Sequence, residues 1–405
     1  MLELEAAQQR ILSALRPLGV ESVSLPAAAG RYLAQAIHSP IDLPVFDNSA
    51  VDGYAVQAQD LAGASASHPL PLRCMGQVAA GEIFPRPITG GTCVRVFTGS
   101  TLPAGADAVV MQEDTRLEPA APESVRFLDA PKPGEGIRRR GEDVRSGTLL
   151  AASGQRVTVG LTALLAAAGL STLKVARQVT AGVLATGSEL QESGQALRPG
   201  HIYESNRVAL LALLSRAGVV ARQYPLVPDT LEATRAALQQ ALAENDLVLS
   251  SGGASVGELD FLKAAFQAIG GQIDFWQVAI KPGKPFLFGR HGQKFLFGLP
   301  GNPVSALVSF ILLVRPALDR LQGAREVSAP KRLGTLGETL SNPANRRHFV
   351  RVRIDATGTV WSAGAQTSHG LRSLAAADGL VEVPAQGALS AGTLVRVIGV
   401  NPDNC

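Results

Sequence analysis

The chain has 405 residues, 46% of them hydrophobic and 18% charged, with a formal net charge of +3. That length supports roughly two to four domains around a large buried core. The composition excludes a disordered chain, and the near-balanced charge gives no global field that would favour nucleic acid or a membrane surface.

The first ten residues are acidic and polar, unlike a signal peptide. Apolar spacing at Leu4, Ala7, Ile11 and Leu15 predicts an amphipathic helix over 4–15. Residues 43–146 read as short strands between Gly/Pro turns, such as CVRVF (93–97) and AVVMQ (108–112). EPAAPES (118–124) and APKPGEG (130–136) read as loops, and IRRRGEDVRSG (137–147) as a basic turn. VTVGLTALLAAAGL (157–170) predicts a buried helix.

The pattern changes near residue 178. Strands are expected at 180–185, 219–227, 247–253 and 275–280, with a hairpin from PFLFGR and KFLFGL. Helices are expected at about 204–217, after an Asp229 cap, at about 259–269, and over 304–321 behind Asn302 and Pro303. Strands alternating with helices predict a parallel, doubly wound α/β sheet. The tail, 326–405, returns to short strands at 348–354, 359–363, 380–384 and 393–400, a small β-barrel or sandwich. The longest apolar run, Val304 to Val314, is too short to span a bilayer and is closed by Arg315. Three cysteines (Cys74, Cys93, Cys405) form no CxxC pair and no zinc-spaced cluster, which fits a reducing compartment. A cytoplasmic protein without nucleic-acid or membrane partners is expected.

Ligands of open α/β sheets bind beyond the carboxyl ends of the strands. Three loops fall there: TGSEL (186–190), SSGGASVGELD (250–260) and GLPGNP (298–303). The second, with Gly252, Gly253 and Ser255, has the glycines and hydroxyls of an anion cradle but lacks the GK[ST] ending of a P-loop. The chain has seven lysines, and two of them, Lys281 and Lys284, share the stiff turn IKPGKP. Two ammonium groups held together are relieved by an anion. Glu189, Asp229 and Asp260 cluster near the same sheet edge, and spaced carboxylates beside an anion suit Mg²⁺. FDNSAVDGYAV (46–56) and FTGSTLPAGADAVV (97–110) carry polar residues that serve either turns or chemistry. Arg138, Arg139 and Arg140 could bind phosphate, but a charge run is usually a solvated face. HExxH and GxGxxG are missing, against zinc proteases and nicotinamide dehydrogenases.

These motifs, with RRRGEDVRSGTLL (138–150), VAIKPGKPFLFG (278–289) and GLPGNPVSALVSF (298–310), resemble the molybdopterin molybdenumtransferases. That family is called MoeA in bacteria and is the E domain of gephyrin in animals. The resemblance implies an α/β multidomain protein in four parts. Residues 1–41 with 147–177 would form an elongated connecting domain. Residues 42–146 would form an inserted β-rich domain, 178–325 an α/β domain like that of the preceding adenylylating enzyme, and 326–405 a C-terminal β-barrel. It implies a homodimer that takes adenylylated molybdopterin and molybdate, works with Mg²⁺, releases AMP, and exchanges substrate and product with other molybdenum-cofactor biosynthesis proteins.

By the same resemblance Glu189, Asp229 and Asp260 would bind the metal, and Lys281 and Lys284 the molybdate or terminal phosphate. Gly252, Gly253, Ser255, Pro300, Pro303 and Ser305 would shape the substrate pocket. Asp52 and Thr98 would complete the site from the partner subunit. Asp143 matches another acidic position, and Arg351 and Arg372 are further anion contacts. One departure stands out: Ser188 sits where the family often has an acid before the glutamate of TG-x-EL. Three other readings stay open: a molybdopterin adenylyltransferase-like activity, a non-catalytic scaffold, and insertion of tungstate.

Overall fold

A computed structural model describes residues 1–253, 261–327 and 331–400. Ser255, Asp260 and Cys405 lie outside the described residues.

Helix α1 (Leu4–Ala14) buries Leu4, Ala7 and Ile11, the face that its apolar spacing predicts. Gln8 ties it to the far end of the chain by donating to the Leu312 carbonyl at 2.8 Å. Val20–Ser24 then pairs antiparallel with Thr172–Ala176. Helix α2 (Val159–Ala167) starts where the Thr158 hydroxyl accepts from Leu161 N. Leu25, Leu33, Leu165 and Val175 form one core, so segments on both sides of the 42–146 excursion fold together.

The excursion holds a six-stranded sheet: β1 (Gly53–Val56), β2 (Leu70–Val78), β3 (Thr92–Val96), β4 (Ala108–Met111), β5 (Thr115–Glu118) and β6 (Ala121–Phe127), in the order β4-β1-β3-β2-β6-β5. Its pairings are antiparallel except β2 with β3. EPAAPES is therefore not a loop but the turn and start of the β5–β6 hairpin. Val125 and Phe127 bury one face of β6, while Pro122 falls at a register shift that requires no ladder bond from it.

The central sheet contains β7 (Thr180–Ala185), β8 (Val220–Gln223), β9 (Leu247–Ser251), β10 (Gln272–Gln277), β12 (Pro285–His291) and β13 (Lys294–Leu299), in the order β8-β7-β9-β13-β12-β10. The first four run parallel, and β9 is buried along its whole length, as a strand covered on both faces must be. The expected hairpin of PFLFGR and KFLFGL makes one edge of this parallel sheet antiparallel. β12 runs antiparallel to β13, because the two-residue turn Gly292–Gln293 folds it directly back, and β10 pairs antiparallel with β12. Helices α3 (Asn206–Arg216), α4 (Leu231–Glu244), α5 (Leu262–Ala268) and α6 (Pro303–Ser309) follow the strands; α6 runs through a π turn into α7 (Arg315–Leu321).

Between β10 and β12, the short β11 (Ile280–Lys281) leaves the sheet and pairs with the C-terminal part. That part is a closed ring of five strands: β14 (Lys331–Leu336), β15 (Arg347–Ile354), β16 (Thr359–Ser362), β17 (Gly379–Val383) and β18 (Leu394–Gly399). Each strand pairs with two others, which makes a barrel and not a sandwich. Val350, Val352, Val360, Val381 and Val397 fill it. A short helix, α8 (Leu371–Ala375), closes the loop between β16 and β17.

Candidate active site at the carboxyl edge of the central sheet

The loops after β7, β9 and β13 converge, as the sheet topology demands. Thr186 N donates to Ser251 O at 3.0 Å, and Gly252 N to Leu299 O at 3.1 Å. Together they floor a cavity of about 600 Å³ lined by Thr186, Glu189, Ser251, Gly252, Asn302 and Pro303, with His369 and Leu371 reaching in from the barrel. Gly252 has φ +85°, and a Cβ there would stand 2.5 Å from the Thr186 carbonyl, so only glycine fits. Gly253 is also left-handed, at φ +69°. Asn206, which sequence reasoning missed, donates to Ser251 Oγ at 2.8 Å and Gly301 O at 2.6 Å and locks two loops together. Behind it the fully buried Arg207 is paired with Glu192 at 2.5 Å. Pro300 and Ser305 lie buried under the cavity floor, and Val304 N donates to Ser368 O of the barrel at 3.1 Å.

The expected helix cap is corrected. Thr230, not Asp229, caps α4, its hydroxyl accepting from Ala233 N at 3.2 Å. Asp229 instead faces the TGSEL loop, where its Oδ2 accepts from Ser188 N at 2.9 Å and its own N donates to Ser188 Oγ at 3.1 Å. Ser188 thus holds one carboxylate in place where the family often supplies another. Glu189 is exposed at the cavity rim, and its carboxylate folds back over Gly187. Thr186 Oγ1 is buried with no partner. Two carboxylates in adjoining loops and an orphaned hydroxyl are hard oxygen donors of the kind Mg²⁺ takes. Among the described residues no three His, Cys, Asp or Glu side chains stand close enough to form a cage by themselves.

The second cluster is cationic. Lys281 on β11 stands in register with His348 on β15. His348 is 5% exposed, and neither ring nitrogen has a partner. Burial, then the positive charges of Lys281 and Arg351, bring its pKa down to about 4. Arg351 is fully buried and, among the described residues, has no carboxylate partner. Its Nε donates to Ser373 Oγ at 3.2 Å and its Nη2 to the carbonyls of Ala365 and Thr367 at 2.7 and 3.1 Å, while Nη1 is unpartnered. Ser309 Oγ, beside Gly283 of the same turn, is a further buried orphan. Buried donors are normally satisfied, and this group stands beside a turn that carries two lysines. Lys284, on the same turn, is exposed.

Family models match three stretches of the chain: the MoeA N-terminal region (domains I and II) at residues 2–169, a "probable molybdopterin binding domain" at 182–320, and the MoeA C-terminal region (domain IV) at 334–400. The molybdopterin molybdenumtransferase of Haemophilus influenzae is 40% identical over 375 residues, 91% of each chain. A Mycobacterium tuberculosis protein named molybdopterin molybdenumtransferase 2 is 38% identical over 394 residues, 96% of each chain. The chain belongs to the molybdopterin molybdenumtransferase (MoeA) family. Its family makes it an enzyme, a transferase of molybdenum-cofactor biosynthesis. A crystal structure of the molybdopterin biosynthesis MoeA protein from Pyrococcus horikoshii superposes with a TM-score of 0.84 at 29% identity, covering 98% of this chain and 99% of that one.

The remaining residues that the MoeA resemblance singled out stand elsewhere. Asp52 and Thr98 are together: Asp52 Oδ1 accepts from both Thr98 N and Thr98 Oγ1 at 2.8 Å. The backbone N–H first, then the hydroxyl, hold that exposed carboxyl below its usual range. Asp143 is exposed at the base of the inserted sheet, its N donating to Leu43 O. None of these three lines the cavity. Arg372 is exposed on α8. Of the arginine run, Arg139 is bound by Asp47 at 2.9 Å and Arg140 by Asp42 at 2.6 Å, which favours the solvated-face reading.

Proposed function

We propose that this chain is a molybdenum insertase, which cleaves adenylylated molybdopterin, releases AMP and places molybdate-derived molybdenum on the pterin dithiolene with the help of Mg²⁺. The observation that carries this reading is the pairing of two unlike sites at one seam. Oxygen donors edge a 600 Å³ cavity on the α/β side, and where β11 joins the barrel Lys281 stands near buried Arg351, whose Nη1 has no partner.

Glu189 and Asp229 would hold Mg²⁺, with the TGSEL backbone keeping Asp229 aimed. When bound, the ion neutralises phosphate charge and makes AMP a better leaving group. The loop glycines give the pterin phosphate close access to backbone N–H groups. Lys281 and Arg351 would bind the compact molybdate dianion, for which fixed donors suffer little reorganisation. His348, neutral in the free protein, gains a partner for one ring nitrogen. The same chemistry accepts tungstate, which has the same charge and shape.

We also propose a homodimer in which the Asp52–Thr98 pair of one copy completes the cavity of the other. The pair is preassembled and exposed, and it stands apart from its own chain's cavity. The test is AMP release from adenylylated molybdopterin, with and without Mg²⁺ and molybdate. Release should require the metal, and molybdenum should then be found on the pterin. Glu189→Gln should fold normally and lose at least about a hundredfold in rate, the usual scale for a lost electrostatic group at a phosphate. Mixing it with Asp52→Asn should restore part of the activity through hybrid dimers. Pyrophosphate formation from ATP and molybdopterin would favour the adenylyltransferase reading instead.

A further inference from the structure

The inserted sheet holds two thiols that the insertase reading leaves without a role. β2 and β3 run parallel, and Cys74 stands in register opposite Cys93. Neighbouring strands lie about 4.8 Å apart, inside the Cα separation that a disulfide spans. Cys93 is fully buried in a core with Leu72, Val110 and Phe127; Cys74 packs against the rim of that core and is half-exposed. Cys74 Sγ donates to Gly76 O at 3.3 Å, a bond that the neutral thiol makes.

We propose that Cys74 and Cys93 form a reversible dithiol–disulfide couple, a redox modification site that takes a small peroxide as its oxidant. Cys74 is the attacking group. The adjacent Cys93 thiol, with smaller help from backbone N–H groups and Arg95, brings its pKa down to about 6, which favours the thiolate that attacks. Its sulfur attacks one peroxide oxygen and the O–O bond breaks. Cys74 becomes a sulfenic acid, and the departing hydroxide leaves as water with a proton from solvent. The neighbouring Cys74 sulfur and then burial push the Cys93 thiol up, so it stays protonated. The first of these effects is lost once Cys74 is a sulfenic acid. The Cys93 sulfur then displaces hydroxide from that sulfenic sulfur, giving up its proton, and a second water leaves as the S–S bond closes. The two thiols lose two electrons and the peroxide gains them. The bond ties β2 to β3, the strand that runs on into Thr98.

The test uses the full chain with Cys405→Ser, so that these are its two thiols. The reduced, folded protein is treated with one equivalent of hydrogen peroxide and followed by intact mass and peptide mapping. The expected result is a loss of two hydrogens, loss of both maleimide-reactive thiols, and one peptide pair joining Cys74 to Cys93, all reversed by dithiothreitol. Adding Cys93→Ala should stop the reaction at a sulfenic acid on Cys74 that dimedone traps. Adding Cys74→Ser, at the rim and outside the packed core, should leave Cys93 unoxidised. Sulfinic acid on Cys74 with Cys93 still free, a bond between two copies, or rapid oxidation of Cys93 in the Cys74→Ser protein would overturn the proposal.

Discussion

His348 offers a direct reading of the cationic cluster. Its imidazole has a pKa of about 4 in the folded chain against an ordinary 6.5, because burial and the charges of Lys281 and Arg351 disfavour the protonated ring. At 1.36 kcal/mol per unit, that difference amounts to about 3 kcal/mol. The folded state binds fewer protons than the unfolded one between these values, so stability rises with pH across the window. The contribution is complete above 6.5 and is lost as the pH falls to 4. A bound dianion should reverse the local sign, since one opposite charge within 4–6 Å raises a histidine pKa by about 1–3 units. Nuclear magnetic resonance of histidine-labelled protein tests both statements, with the His348 signal assigned by its absence in His348→Gln. The ring should stay neutral to about pH 4 in the free protein and titrate at least a unit higher with saturating molybdate. A free-protein midpoint near 6.5, or a midpoint that molybdate leaves unchanged, would refute the placement of the anion.

Two further outcomes are expected. Arg351→Met removes three hydrogen bonds but also a buried cation with no counter-ion, opposing terms of several kcal/mol each. Its thermal stability should therefore stay within about 2 kcal/mol of wild type. What it should lose is the stabilisation by molybdate, about 2.7 kcal/mol at a hundredfold excess over Kd, read as a flat melting temperature on molybdate titration. Gly252→Ala forces a side chain into left-handed backbone and 2.5 Å from the Thr186 carbonyl. It should cost at least about 1–3 kcal/mol in urea unfolding and abolish AMP release; wild-type stability would show that this loop is not the rigid floor described.

The local patterns fix much of this architecture. Helix α1 and the hairpin of β12 and β13 are set by spacing that short-range physics reads: a 3.6-residue stripe in one, a two-residue glycine turn in the other. The place of the loops at the sheet edge is legible for a similar reason, because glycines beyond a buried strand mark where the chain turns. What was not legible depends on contacts between distant segments. EPAAPES looks like loop because its prolines are visible and its register shift is not. Asp229 looks like a helix cap because Thr230, equally able to cap, stands next to it; only the Ser188 contact, 41 residues away, decides between them. His348 gives no sequence signal. An alternating strand with a histidine at its start reads as a half-exposed edge, and burial follows only when the strand is paired on both sides.

The pairing of β11 with β15 explains how the two halves of the site keep a fixed distance. A lysine on a free loop would be a mobile point charge. Here the backbone of Lys281 is a rung of the ladder that starts β15, and three residues along that strand Arg351 is held by two loop carbonyls and Ser373. The same turn leads directly into β12, so its other end belongs to the sheet that positions Gly252 and Glu189. The cations proposed to bind the anion and the proposed metal carboxylates are thus mounted on one continuous piece of backbone, with the barrel as its brace. Closing the barrel into a ring removes free edges and makes that brace stiff. An arrangement of this kind suits a reaction in which two separate substrates, one a small dianion and one a nucleotide-bearing pterin, must meet at a set separation before either bond changes.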